Sequence, residues 1–117
     1  VLVAGLLPYV WIGYAKLVGR AFNNRAPRIA LAKLEGAPAR AHWAHLNAFE
    51  AFPFFAAAVI LAMHRGVDQT TVDNLAIAFV VARILHGSFY LLDWAALRSL
   101  AWFVGLACPI TLLCYAI

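Results

Sequence analysis

The sequence predicts an all-α integral membrane protein in which four transmembrane helices form an antiparallel bundle. Hydrophobic residues occupy 66% of the 117 positions and charged residues only 12%, whereas about 25% of the residues of soluble domains are charged. The mean hydropathy of +0.86 also favours a bilayer over water as the solvent. Because about 20 apolar residues cross a bilayer as a helix, residues 1–117 have room for four crossings, and we predict one membrane domain without a separate soluble unit.

The four predicted spans are apolar segments that polar connections separate. Pro8 and Pro53 lie inside the first two spans, where a membrane helix tolerates a proline and bends. The connection over residues 20–40 is rich in Asn, Pro, Gly and Arg, which predicts a polar loop with one short helical piece. The other two connections are short, so each helix is expected to lie antiparallel beside the preceding one. The helices are predicted over about residues 2–20, 41–64, 71–92 and 99–117.

The distribution of Lys and Arg predicts how the spans are oriented. Most of the nine basic residues lie in the first connection and the helix ends beside it, and only Arg65 lies in the second. Because cytoplasmic loops carry an excess of Lys and Arg, the first and third connections are expected in the cytoplasm and both termini on the opposite side. These cations are not interleaved with exposed aromatic residues, so they do not indicate a nucleic-acid partner. The tryptophans expected to anchor the spans at the membrane interface are Trp11, Trp43, Trp94 and Trp102.

The cysteines and two of the histidines do not indicate a metal site. Cys108 and Cys114 are six residues apart and therefore lie on different sides of a helix, as expected for packing residues rather than for a disulfide or a metal pair. No third ligand at metal spacing accompanies His42 and His45, so they are interpreted as hydrogen-bonding residues at the interface or between helices. The small residues of the run 56–58 favour close helix packing.

Two polar stripes on the middle spans are the strongest functional feature of the sequence. At 100° per residue, each stripe covers no more than about 80° of its helix. The second helix leaves the cytoplasmic side and the third returns to it, so the two stripes are expected at one depth. The stripe of the second span holds Arg40, Trp43, Asn47 and Glu50, and that of the third span holds Arg83, His86, Tyr90 and Asp93.

The charges of these stripes predict a shielded polar cleft. A charged side chain at the centre of a helix that faces lipid costs at least about 2.5 kcal/mol, so Glu50 and Arg83 are expected to face the bundle interior or a subunit interface. One interpretation is structural: Glu50 pairs with Arg83, and Asn47 forms a hydrogen bond across helices. A ligand with several charges explains more of the groups gathered at this level.

The same segments resemble a known family. The run 44–50 (Ala-His-Leu-Asn-Ala-Phe-Glu), followed by Phe-Pro-Phe at 52–54, resembles the second-helix signature of the membrane-associated proteins in eicosanoid and glutathione metabolism. The runs 82–91 and 98–105 are similar to the third and fourth helices of microsomal glutathione transferases. The matches cover more than half of the chain, in the same helix order.

The resemblance implies a homotrimer that binds glutathione between neighbouring subunits near the cytoplasmic side. Asn47 and Glu50 would hold the backbone and the amine of the peptide, and Arg40 is a weaker candidate. Arg98 would stabilise the glutathione thiolate, and a lipophilic second substrate would reach the sulfur from the surrounding membrane lipids. The residues implied to bind from the adjacent subunit are Arg83, His86 and Tyr90.

The resemblance also narrows the function. His86 matches the microsomal transferase branch, whereas the leukotriene-forming branch has a tyrosine there, so we expect a glutathione transferase or peroxidase that acts on lipophilic electrophiles. A bacterial member in the inner membrane, with both termini in the periplasm, fits best. Two departures leave a non-catalytic accessory or scaffold subunit of a larger membrane complex as the alternative. Trp43 stands where many members place an arginine, and Ala51 stands where the leukotriene-forming branch has a tyrosine. A channel or transporter ranks last, because the ionisable residues share one depth.

Overall fold

The computed structural model describes residues 1–117 and contains helices and no strands. Four of the helices, α1, α3, α4 and α5, are each long and apolar enough to cross a membrane. This confirms the predicted all-α class and the number of candidate spans, and the short helix α2 is the helical piece expected in the first connection. The helices are α1 (Leu2–Gly19), α2 (Pro27–Ala32), α3 (Gly36–His64), α4 (Gln69–Leu91) and α5 (Ala95–Ala116).

Three spans begin earlier than the sequence predicts, α4 by only two residues and α3 and α5 by more. Helix α3 begins at Gly36 rather than near residue 41, since Pro38 falls in the first turn, where backbone N–H groups have no partner inside the helix. Helix α5 begins at Ala95 rather than at residue 99. The residues before Arg98 include two alanines and a leucine, which favour a helix, so the charge of Arg98 falls in the first turn and not in a loop.

Helix α1 packs mainly against α3, and α4 mainly against α5, while α3 also contacts both α4 and α5. The largest core cluster lies among these helices, and the rings of Phe55 and Phe79 stack in it with centroids 3.9 Å apart. Small side chains allow this close packing: Ala58, in the alanine run of α3, and Ala62 are completely buried. The outer surface is rich in exposed Leu, Ile, Val and Phe side chains, as a lipid-facing surface requires.

One of the four predicted interfacial tryptophans lies elsewhere. Trp11 is only 7% exposed, and its indole ring contacts the α4 backbone at Gly87, where a Cβ atom would overlap the ring. Position 11 is near the middle of α1, so this side chain packs between helices and does not reach a membrane interface. Trp43, Trp94 and Trp102 are exposed, as anchors would be.

Hydrogen bonds stabilise both ends of the short connection between α3 and α4. The Asp68 carboxylate accepts a hydrogen bond from the Thr71 N–H (3.1 Å) and caps the start of α4. Arg65 Nε donates to the backbone carbonyl of Ala116 (3.0 Å), which joins the connection after α3 to the end of α5.

In α5, Cys108 is buried and Cys114 is exposed, so they lie on different sides of the helix, as predicted.

Candidate functional site

One hydrogen bond joins the two predicted polar stripes directly. Arg83 Nη2 on α4 donates a hydrogen bond to Asn47 Oδ1 on α3, with an N···O distance of 2.6 Å. Arg83 and His86 are the two buried polar side chains of the chain, only 4% and 3% exposed. Burial of an isolated charge in an apolar bundle costs free energy. This hydrogen bond therefore favours the relative position of α3 and α4 in which Asn47 lies beside Arg83.

The buried guanidinium of Arg83 is only partly satisfied. Its Nε atom is shielded from solvent and has no hydrogen-bond partner. Gly105 on α5 leaves the space that this side chain needs, because a Cβ atom at that position would lie 3.4 Å from Arg83 Cδ. An unpaired donor on a buried cation is energetically unfavourable and is uncommon in folded proteins.

A first recess, here called the Glu50 recess, has a volume of about 210 Å³ and lies among α3, α4 and α5. Asn47, Glu50 and Arg83 are its polar lining residues, and Trp102 and Gly105 of α5 also line it. The Glu50 side chain is exposed, and the hydrogen bond of Arg83 goes to Asn47. The arrangement is therefore an open recess with an accessible acid beside a buried cation, and not the closed Glu50–Arg83 pair of the structural interpretation.

A second recess, here called the Arg98 recess, has a volume of about 330 Å³. The Arg98 guanidinium lies over the Tyr90 ring, with Cζ 4.5 Å from the ring centroid, a cation–π contact that positions the charge. The His86 ring packs edge-on against Tyr90, with centroids 5.5 Å apart. Asn47 and Trp102 line both recesses, so the two recesses share a wall.

Six of the seven predicted site residues therefore line the two recesses, and Arg40 does not. Its Nη2 atom donates to the backbone carbonyl of Leu91 (3.1 Å), at the end of α4. Arg40 therefore ties α3 to α4 away from the recesses. Asp93 also leaves its predicted stripe, because α4 ends at Leu91 and Asp93 lies in the following turn with a φ of 59°.

Sequence reasoning missed the contribution of α5 apart from Arg98. Trp102 lines both recesses, Ser99 lines the Arg98 recess, and Gly105 lines the Glu50 recess. A signal was present: Arg98, Trp102 and Gly105 are spaced by four and three residues, which places them on one helix face. The pattern was not recognised because Trp102 was interpreted as an anchor at the membrane interface.

The two recesses together present cationic, anionic and neutral hydrogen-bonding groups. Together they are lined by two guanidinium groups, one carboxylate, one imidazole and one phenol, and the Asn47 amide lines both. No group of three or more His, Cys, Asp and Glu side chains is placed to hold a metal ion. Such a set can bind carboxylates and an ammonium group together, and can stabilise a further anion beside Arg98.

These features define a multi-pass integral membrane protein whose spans surround a recessed cluster of ionisable groups. The family model that matches the chain is that of the MAPEG family, over residues 1–117. The chain belongs to this family, whose members are membrane proteins and include glutathione transferases and peroxidases. Among individual proteins, neither a curated protein nor a solved structure matches it. The resemblance of the second, third and fourth spans to this family is thus confirmed.

Proposed function

We propose that this protein is a glutathione-dependent membrane transferase or peroxidase that acts on lipophilic electrophiles. The observation that carries the proposal is the shared wall of the two recesses, which brings Glu50, Asn47 and Arg83 next to His86 and Arg98. Glutathione has two carboxylates, an ammonium group, two peptide units and a thiol, and each needs a different partner. Membership of the MAPEG family supports the same class of substrate.

The Glu50 recess would hold the charged backbone of glutathione. The Arg83 guanidinium, which lines this recess, is suited to a carboxylate, and the exposed carboxylate of Glu50 to the ammonium group. Asn47 Oδ1 already accepts from Arg83, so the amide N–H₂ group is left to donate to a ligand oxygen. His86 and Tyr90 would orient the peptide from the Arg98 recess.

Arg98 would be the catalytic residue, because its guanidinium favours the thiolate of glutathione over the thiol. A cation and an anion about 4 Å apart attract by roughly 4 kcal/mol at an effective dielectric constant near 20. The thiol proton is lost to solvent, and the sulfur then attacks an electrophilic carbon to form a C–S bond while the leaving group departs with its electron pair. A second substrate dissolved in the bilayer reaches this sulfur without crossing water.

Glu50 also supports a homotrimer with glutathione between subunits. This carboxylate is exposed on a membrane-spanning helix of the single chain, where contact with lipid costs at least about 2.5 kcal/mol. A neighbouring protomer that covers Glu50 would remove this cost and close the recess. The short connections Arg65–Asp68 and Leu92–Trp94 suit antiparallel spans. With the basic first connection in the cytoplasm, both termini would lie in the periplasm of a bacterial inner membrane.

Ultraviolet absorbance of the thiolate on the purified protein tests the catalytic role. Wild-type protein should produce a glutathione thiolate signal at neutral pH, and Arg98→Ala should lose most of it. Arg25→Ala is the matched control, because Arg25 is exposed in the first connection and lines neither recess. Absence of the signal in the wild type, or an equal signal in Arg98→Ala, would refute the mechanism.

A non-catalytic accessory or scaffold subunit is the second candidate. Trp43 favours it, since this side chain stands where many family members have an arginine, and its ring lies 6.3 Å from that of Tyr90. The site then has one cation fewer for the glutathione carboxylates. Purification in mild detergent distinguishes the two candidate functions. A scaffold subunit should copurify with other membrane proteins, and glutathione should not change its melting temperature. A homotrimer that always migrates alone and is stabilised by glutathione contradicts the scaffold.

A further inference from the structure

A third recess lies on another face of the molecule, among α1, α2 and α3. It has a volume of about 810 Å³, and neither Asp nor Glu lines it. Each of the three helices contributes a basic side chain: Lys16 from α1, Arg28 from α2, and His42 and His45 from α3. None of these residues lines the Glu50 recess or the Arg98 recess. We call it the basic recess.

The polarity of the basic recess changes with depth. Lys16 lies in the last turn of α1, and Ile12 and Tyr9 follow one and two turns deeper on the same helix. Along α3, Leu46 and Phe49 likewise lie deeper than the two histidines. The recess therefore has cations at the end of the spans and an apolar wall within them, the profile of a ligand with an anionic head and a hydrocarbon chain.

The two histidines add directed hydrogen-bonding groups. His45 Nδ1 lies 2.8 Å from the backbone oxygen of Pro8, and because a carbonyl only accepts, this nitrogen carries the proton and Nε2 is the other ring nitrogen available to a ligand. His42 stacks on His45 with ring centroids 6.3 Å apart, and its buried Nδ1 has no partner.

We infer that the basic recess binds an anionic amphiphile, namely a membrane phospholipid with a net negative headgroup. The phosphate would lie between Lys16 and Arg28, and an acyl chain would follow the apolar wall towards Tyr9 and Phe49. A soluble anion would use the cations but not the apolar wall. Within one chain, the basic recess and the proposed glutathione site share no lining residue.

Native mass spectrometry of the detergent-purified protein tests the inference. The protein is titrated with phosphatidylglycerol and with phosphatidylcholine of identical acyl chains, and separately with glycerol 3-phosphate as the headgroup alone. Phosphatidylglycerol should bind at least tenfold more tightly than phosphatidylcholine, and glycerol 3-phosphate should bind at least a hundredfold more weakly than phosphatidylglycerol. Equal affinity for the two lipids would contradict selection of a negatively charged headgroup. If glycerol 3-phosphate binds as tightly as phosphatidylglycerol, the acyl chain does not contribute to binding and the inference fails.

Substitutions of the basic residues test whether the lipid binds in the basic recess. Arg28→Gln should weaken phosphatidylglycerol binding about fivefold, as expected for one cation beside an anionic lipid, and Lys16→Gln combined with it about twenty-five-fold. Arg25→Gln is the matched control, because it removes the same charge from the same connection outside the basic recess. If Arg25→Gln weakens binding as much as Arg28→Gln, the lipid is held by the overall charge and the inference fails. Circular dichroism checks that each variant keeps its helices.

Discussion

Substitutions at Asn47 test the central contact of the candidate site, since its Oδ1 atom accepts from Arg83 and the residue lines both recesses. Asn47→Leu removes the acceptor and leaves a guanidinium that is 4% exposed without that partner. A hydrogen bond to a charged group is worth about 1.5–3 kcal/mol in water-soluble proteins, whereas interhelical polar bonds in membranes reach about 1.7 kcal/mol at most. Because α3 and α4 are both membrane spans, the membrane limit applies, and we expect the unfolding free energy to fall by about 1–1.7 kcal/mol.

Asn47→Asp separates the structural role of this residue from its binding role. The carboxylate still accepts from Arg83, so the unfolding free energy should stay within about 1 kcal/mol of the wild type. The same change removes the amide donors and adds a negative charge to the recess that Glu50 lines. Glutathione affinity should therefore fall at least tenfold, which corresponds to about 1.4 kcal/mol.

The assays are reversible unfolding in mixed micelles for stability and isothermal titration with glutathione for affinity. Asn74→Leu is the control, because Asn74 is an exposed asparagine of α4 that lines neither recess. An Asn47→Leu variant as stable as the wild type would show that the 2.6 Å contact with Arg83 does not hold α3 to α4. Unchanged glutathione affinity in Asn47→Asp would remove the amide from the binding site.

Two further substitutions test the packing and the acid of the site. Gly87→Ala places a methyl group against the Trp11 ring, and overpacking of about 1–3 kcal/mol outweighs a gain in helix propensity of up to about 1 kcal/mol. Unfolding should show a net loss, whereas Gly13→Ala, with open space around position 13, should be neutral or stabilising; equal effects would contradict the close contact. Glu50→Gln should lower glutathione affinity at least tenfold by removing the charge that faces the ammonium group, and titration of Glu35→Gln, an exposed acid outside the recesses, should match the wild type.

The hydropathy of the chain by itself determined the four candidate spans and the all-helical class. A bilayer leaves no other way for a single apolar segment to satisfy its backbone, so length and composition suffice. The 3.6-residue period likewise placed Asn47 and Glu50 on one face of α3, and Arg83, His86 and Tyr90 on one face of α4, because side-chain direction along a helix is a local property.

Contacts between helices were decided only by the tertiary structure. Periodicity put Arg40 in the same stripe as Asn47, but the end of α4 places the Leu91 carbonyl within its reach and draws it away from the recesses. Composition marked Trp11 as an interfacial anchor, and only the close approach of α1 to Gly87 shows that it is buried. The basic recess needs three helices together. Which partner a side chain meets depends on distances between segments far apart in the chain, and no local pattern of residues encodes those distances.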